Sequence, residues 1–292
     1  MLALGVVVPV CRAQVPVAPF PSFHIDADLG RLYNQRSEFS KRRYFVESRV
    51  NIDVSFLSLY NMVDIGSSFF IHSGMGQTLD NVVFDPMDAS YGFDPYIGIT
   101  FAPLRVRTGV EHHCYHEIDR RDFTTVYYNK LFVSLASPRF HPLRLIHDAA
   151  QGLSPPSLEH LGWDVRYGIF LRSFFGLVRP SSVSYHNNYR HEASADLRYV
   201  LARNGPLFLS LFTTATLGYW DDYLDKNMDE PGWYRSLTVA LEPGMIGGRS
   251  GVVGVLSYTR DALPLFYSRT STAFHPRFSR NRLWKIALRL FV

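Results

Sequence analysis

Residues 160–174, HLGWDVRYGIFLRSF, place Trp163, Val165, Tyr167, Ile169 and Leu171 at alternate positions, with Asp164, Arg166, Gly168 and Arg172 between them. Successive side chains of an extended chain point to opposite faces, so this is a strand with one apolar and one charged face. The charges in mid-strand carry the argument. A soluble sandwich buries its apolar face, whereas a membrane barrel turns that face to lipid and gathers polar groups inside.

The same period recurs along the chain. In RHEASADLRYVL, residues 190–201, Ala193, Ala195, Leu197, Tyr199 and Leu201 oppose Glu192, Ser194, Asp196 and Arg198. In RYFVESRVNIDVSF, residues 43–56, Val46, Val50, Ile52, Val54 and Phe56 oppose Glu47, Arg49, Asn51, Asp53 and Ser55. These runs reach about ten residues or more, long for a soluble strand and right for crossing a tilted bilayer. Aromatic residues gather near their ends, among them Phe23, Tyr44, Tyr60, Trp163, Tyr219, Trp220, Trp233, Tyr234 and Trp284, as interfacial girdles require.

Composition agrees with a strand-built membrane protein. The 292 residues are 47% hydrophobic and 19% charged with a mean hydropathy of -0.05, and no apolar run beyond the N-terminus is long enough for a spanning helix. The net charge of +4 is dispersed, with Arg interleaved among Asp and Glu, which argues against nucleic-acid binding. The opening MLALGVVVPVCRAQ, residues 1–14, reads as a signal peptide without the usual basic start, leaving 15–292 as the barrel domain. Val10 before Cys11 disfavours a lipoprotein signal, and cleavage would leave Cys114 as the lone cysteine, with no internal disulfide to form.

The expected fold is all-β: a transmembrane antiparallel up-and-down β-barrel of a bacterial outer membrane. Twelve strands are predicted near 22–33, 43–59, 62–73, 93–102, 104–117, 124–136, 161–174, 190–203, 206–220, 233–243, 251–261 and 281–292. An even number brings both termini to the periplasmic side, with short turns near 60–64, Pro103, 203–206 and 243–251. Longer connectors at 74–92, 175–189, 221–232 and 262–280 then face outward. Residues 137–160 break that scheme as a long periplasmic crossing, with a short helix expected around 143–150 as a plug or a misread strand. A soluble exported β-sandwich is the alternative fold. The ending RLWKIALRLFV, 282–292, resembles the last strand of outer-membrane barrels, although Phe291 is penultimate where a terminal aromatic is typical.

Two sets of residues could carry function. On the lumen face stand Arg49, Arg105, Arg107, Glu111, His113, Asp164, Arg166, Asp196 and Arg198, together with Asp26, Asp28, Glu47, Asp53, Asp64, Lys130, Arg172, Glu192, Glu242, Arg260, Lys285 and Arg289. Either they pair to fill a narrow interior or they line a small pore, in which recurring arginines would favour a small anionic solute. The second set is RTGVEHHCYHEIDRRD, 107–122, where His112, Cys114 and His116 share the lipid face of the fifth strand near its outer rim, with Asp119 beyond it. Imidazole and thiolate suit zinc or copper, which makes His112 and His116 candidate metal ligands, although interfacial histidines meeting lipopolysaccharide and water have the same pattern. No cofactor fingerprint is present.

HHCYHEID, 112–119, resembles the His-x-Ser-Ser-His-x-x-Asp stretch of a family of bacterial outer-membrane barrels of unknown function, with His112, His116 and Asp119 matching and Cys114 and Tyr115 replacing the serines. That resemblance implies location and fold and carries no catalytic role. Outer-membrane phospholipases and lipid A deacylases place a His and a Ser two apart on a lipid-facing strand. His112 and Cys114 are similar to that pair in spacing, with a thiol for the hydroxyl, and Asp119 or Glu111 could orient the base. No His-x-Ser pair occurs in the chain. The leading expectation is therefore a porin-like small-solute pore or a structural, surface-binding barrel, and the alternative is a lipid hydrolase. Lipid and lipopolysaccharide of a Gram-negative outer membrane are the expected partners.

Overall fold

The computed structural model describes residues 17–33, 45–77, 83–117, 126–138, 140, 142–149, 151–153, 158–171, 189–220, 232–262 and 281–292. The predicted signal segment, 1–14, and most of the long outward connectors lie outside these residues. The barrel strands are β1 (Val17–Tyr33), β2 (Val46–Leu59), β3 (Val63–Gln77), β4 (Val83–Phe101), β5 (Leu104–Glu117) and β6 (Val126–Ala136). After a helix α1 (Pro142–Asp148) and the two-residue β7 (Gly152–Leu153) come β8 (Leu161–Phe170), β9 (Tyr189–Asn204), β10 (Leu207–Trp220), β11 (Gly232–Gly247), β12 (Ser250–Ala262) and β13 (Asn281–Phe291).

All barrel pairings are antiparallel between successive strands, and β13 pairs with β1 from Asp26↔Phe291 to Tyr33↔Trp284. The sheet is a closed ring of twelve strands, with β7 attached to β9 beside it. Each predicted strand is present. The main departure is β4, which begins at Val83 rather than near 93, so residues predicted as connector extend the wall upward.

The expected facing is seen at Leu197 and Arg198: the leucine is 42% exposed and the arginine 6%. Leu29, Ile97, Val165, Ile286 and Leu288 are likewise exposed on the outer surface. Exposed leucines in long unbroken rows are what lipid requires and what water penalises. Inside, Lys130 reaches Glu111 and Glu192 at 2.6 Å each, and Arg166 bonds the other Glu111 oxygen at 2.6 Å, tying β5, β6, β8 and β9 together. A Cβ on Gly168 would sit 2.5 Å from Lys130 Cδ, so the glycine is the space through which the lysine passes. On the other side, Glu242 takes Arg198 at 3.1 Å and Arg289 at 2.7 Å, and Lys285 joins Asp28 at 2.6 Å and Glu47 at 2.5 Å.

Removing one member of such a buried set leaves its partners charged and unmatched, at a cost of about 3 kcal/mol or more. Glu111→Leu is therefore expected to lower the urea midpoint of the barrel refolded in lipid vesicles, read by its folded-to-unfolded gel mobility. An unchanged midpoint would mean that the pairs contribute nothing net.

One end carries the short turns. Tyr60 and Asn61 have φ of 55° and 53° with Met62 N–H donating to Leu59 O at 3.0 Å, a turn with both central residues left-handed, which suits a two-residue hairpin. Gly205 and Gly248 take φ of 58° and 59° at the two hairpins nearest α1. Short turns mark the periplasmic end in barrels of this kind. Here α1 folds back into the mouth: Leu145, Ile146 and Ala149 pack into a buried cluster with Val200, Phe208, Ala240, Ile246, Val253 and Phe291. Arg203 Nη1 donates to the carbonyls of Ile146, His147 and Ala149 at 3.0, 2.7 and 3.1 Å, fixing the end of the helix, and His147 Nε2 bonds Gly248 O at 3.0 Å. The described part of the crossing is a plug element with its own apolar seat in the periplasmic mouth.

Candidate functional site

Apart from Arg260, and from Arg172, which lies outside the described residues, the lumen residues predicted from sequence occupy the inner wall, and most meet a partner of opposite charge. Arg107 donates two bonds to Asp53 at 3.0 and 3.4 Å and lies 4.1 Å from the Tyr96 ring. Arg105 meets Asp64 at 3.5 Å, His113 Nε2 meets Asp94 at 2.9 Å, and Arg198 stacks over Phe212 at 4.7 Å. Arg49 donates to Asn51 at 2.8 Å and lies over Phe70. Asp164 and Asp196 face each other in register across β8 and β9. Arginine and carboxylate alternate around the ring, so the ladder is an ion-pair lattice more than a row of free cations. One assignment fails: Arg260 is exposed on the outer face, in step with Leu256 and Tyr258, because charge close to a strand end is tolerated outward at the headgroup level.

On the outer wall, β5 presents Val106, Thr108, Val110, His112 and Cys114 in turn. The register puts His112 opposite Phe93 of β4 and Asn129 of β6, and Cys114 opposite Tyr91 and Tyr127. Phe93, Tyr91 and Leu131 are exposed on this surface, which fixes it as the lipid side. His112 Nδ1 and Asn129 Oδ1 are 2.8 Å apart. With Nδ1–H donating to the amide oxygen, Nε2 keeps its lone pair and the ring is held in one orientation. Cys114 lies two residues further along the same face, a step of about 7 Å between Cα atoms, and is half-buried. It stands three residues from the end of β5, about 10 Å along the strand from the rim.

Asn129 had no signal in the sequence: only the β5–β6 register reveals it. Glu111, considered as the group orienting His112, cannot serve, because it points into the lumen, 2% exposed between Lys130 and Arg166. Asp119 and the side chain of His116 lie outside the described residues. Among the described residues no three His, Cys, Asp or Glu side chains converge as a metal site would need.

No family model matches the chain, and no curated protein matches it by sequence. Solved structures do match in fold. Outer membrane phospholipase A from Escherichia coli superposes with a TM-score of 0.50 at 11% identity over 94% of this chain and 97% of that one. The chain is a bacterial outer-membrane β-barrel. A calcium-bound outer membrane phospholipase dimer from Salmonella typhi is similar with a TM-score of 0.48 at 11% identity, covering 97% of this barrel and 93% of that chain. The NanC porin gives 0.43 at 12% identity over 91% and 97%. At such identities the likeness describes architecture, and any chemistry must come from the residues of this barrel.

Proposed function

We propose that this barrel is an acyl hydrolase acting on ester-linked lipids of the outer leaflet, with Cys114 as nucleophile, His112 as general base and Asn129 as the group that orients the base. The observation that carries this reading is the 2.8 Å bond from His112 to Asn129 on the lipid-facing wall, with a thiol two positions along the same strand face. An Asn amide orients the histidine in Cys-His-Asn hydrolases, and that is the role this reading gives Asn129 in activating the thiol. Nε2 takes the thiol proton as sulfur attacks the ester carbonyl. The imidazolium returns that proton to the departing alcohol, and water then cleaves the thioester to free the acid. Phospholipid hydrolysis is known on this architecture, in the phospholipase from E. coli, which adds a fold-level analogy and no more.

The test is release of fatty acid from mixed micelles of a defined phospholipid or of lipid A by the refolded barrel. Release that iodoacetamide blocks, with a single alkylated cysteine, is the expected outcome. Absence of release from either lipid class would end the hydrolase reading.

A second reading, a small-solute pore with anion preference, draws support from three buried donors: Nε of Arg105, Arg107 and Arg289 lacks a hydrogen-bond partner among the described residues. A small anion could satisfy them. The plug at the periplasmic mouth works against steady flow, and planar-bilayer recording is expected to give little current from the intact barrel.

A further inference from the structure

Not every charge in the lumen is absorbed by its lattice of ion pairs. Arg166 and Arg198 are taken by Glu111 and Glu242, but Asp164 and Asp196, which alternate with them along β8 and β9, form no ion pair among the described residues. Arg166 acts on both carboxylates only from a distance. The two acids are register partners on the inner face. Side chains so placed have Cβ atoms about 5 Å apart, and like charges there repel unless something positive stands between them. One Asp196 oxygen accepts from the Thr214 hydroxyl, and the other, the buried Oδ1, has no partner among the described residues. A buried acceptor left unmatched is costly, and a donor that meets it recovers that cost.

The cation left over stands on the opposite wall. β2 and β9 are six places apart in the ring of twelve strands, so they face each other across the lumen. Arg49 of β2 is exposed to the lumen, and its Nε donates to Asn51 Oδ1 at 2.8 Å. Asn51 Nδ2 in turn donates to Asp26 at 2.9 Å, so an amide, not a carboxylate, holds the base of the guanidinium. Its two Nη groups bond nothing among the described residues. The charge of Arg49 nevertheless acts on Asp196 across the gap. The two walls attract each other without touching, and the space between them has a positive side and a negative side.

A solute with a single charge is drawn to one of these sides and repelled by the other, whereas a zwitterion gains at both. An ammonium group has three N–H donors, enough for both carboxylates and the unmatched Oδ1. A guanidinium takes a carboxylate or phosphate through paired N–H bonds. We infer that the lumen holds a binding site for a small zwitterion, an ammonium and an oxyanion joined by a short chain, with Asp164 and Asp196 taking the ammonium and Arg49 the oxyanion. The site rests on neither functional reading above: it is on the inner wall, away from His112 and Cys114, and it calls for no flow past the plug.

The experiment is isothermal titration calorimetry of the refolded barrel in detergent, with no lipid substrate present. The probes are γ-aminobutyrate and phosphoethanolamine, with butylamine and butyrate as their singly charged counterparts. At least one zwitterion is expected to bind at least tenfold tighter than either counterpart, and the tighter of the two identifies the oxyanion as carboxylate or phosphate. R49Q, which breaks no ion pair, is expected to lose at least tenfold for that zwitterion and to bind butylamine as wild type does. D164N/D196N is expected to lose both, and R282Q, on the outer wall, to lose neither. Heat-modifiable gel mobility reports whether each variant is folded, and R49Q decides the matter alone if the double variant does not fold. No heat of binding from either zwitterion, butylamine binding as tightly as both, or an R49Q barrel with undiminished affinity would each overturn the site.

Discussion

Cys114→Ala is expected to abolish fatty-acid release from lipid micelles, with a fall of at least about a thousandfold, because without the sulfur no acyl intermediate forms. The variant removes one half-buried atom from the outer wall, so barrel assembly should be unaffected. Two companions sharpen the result. His112→Ala is expected to lose about 10²–10⁴-fold, the usual contribution of a positioned base. Asn129→Ala should lower kcat while leaving KM nearly unchanged, since Asn129 acts through the ring it holds, and Asn129→Asp should restore part of the loss because its carboxylate accepts the same Nδ1–H bond. A merely structural role for Asn129 would instead lower the unfolding midpoint and leave kcat intact. If Cys114→Ala cleaves lipid as well as wild type, the catalytic assignment falls.

The second large effect concerns the plug. Leu145 and Ile146 are 0% and 1% exposed in the apolar seat formed with Val200, Phe208 and Phe291. Truncating such a side chain costs about 2–5 kcal/mol, and a charge in its place costs more. At 1.4 kcal/mol per tenfold, Leu145→Asp shifts the docked-to-released ratio of α1 by roughly two orders of magnitude. Bilayer recordings should then show current steps absent from wild type, while gel mobility still reports a folded barrel. Adding Arg203→Ala removes the donor to three helix carbonyls and should increase the open fraction further. A silent Leu145→Asp barrel would mean that the ion-pair lattice, rather than the helix, closes the lumen.

The legibility of the sequence divided along physical lines. Strand number and facing were readable because a side-chain period of two is local: Leu197 and Arg198 declare their faces within one segment. Asn129 was not readable, since its value arises only when β5 and β6 settle in the register that brings it opposite His112. The apolar seat of α1 was hidden for a related reason. Val200, Phe208, Ala240 and Val253 are inward apolar residues at the end of strands whose inner faces are otherwise polar, and they make sense only once a helix covers them. Arg260 was misplaced because a charge in an alternating strand was read as belonging inside, although near the rim water and headgroups accept it on either face.

The seam between first and last strands sets the order of assembly. Ile25 and Val292 exchange both backbone hydrogen bonds, at 3.0 and 2.8 Å, across a separation of nearly the whole chain. Until β13 arrives, the nascent sheet has two bare margins, each able to recruit a stranger. Such distant contacts form slowly, so the unfinished cylinder stays open to wrong pairing along both margins until that seam closes.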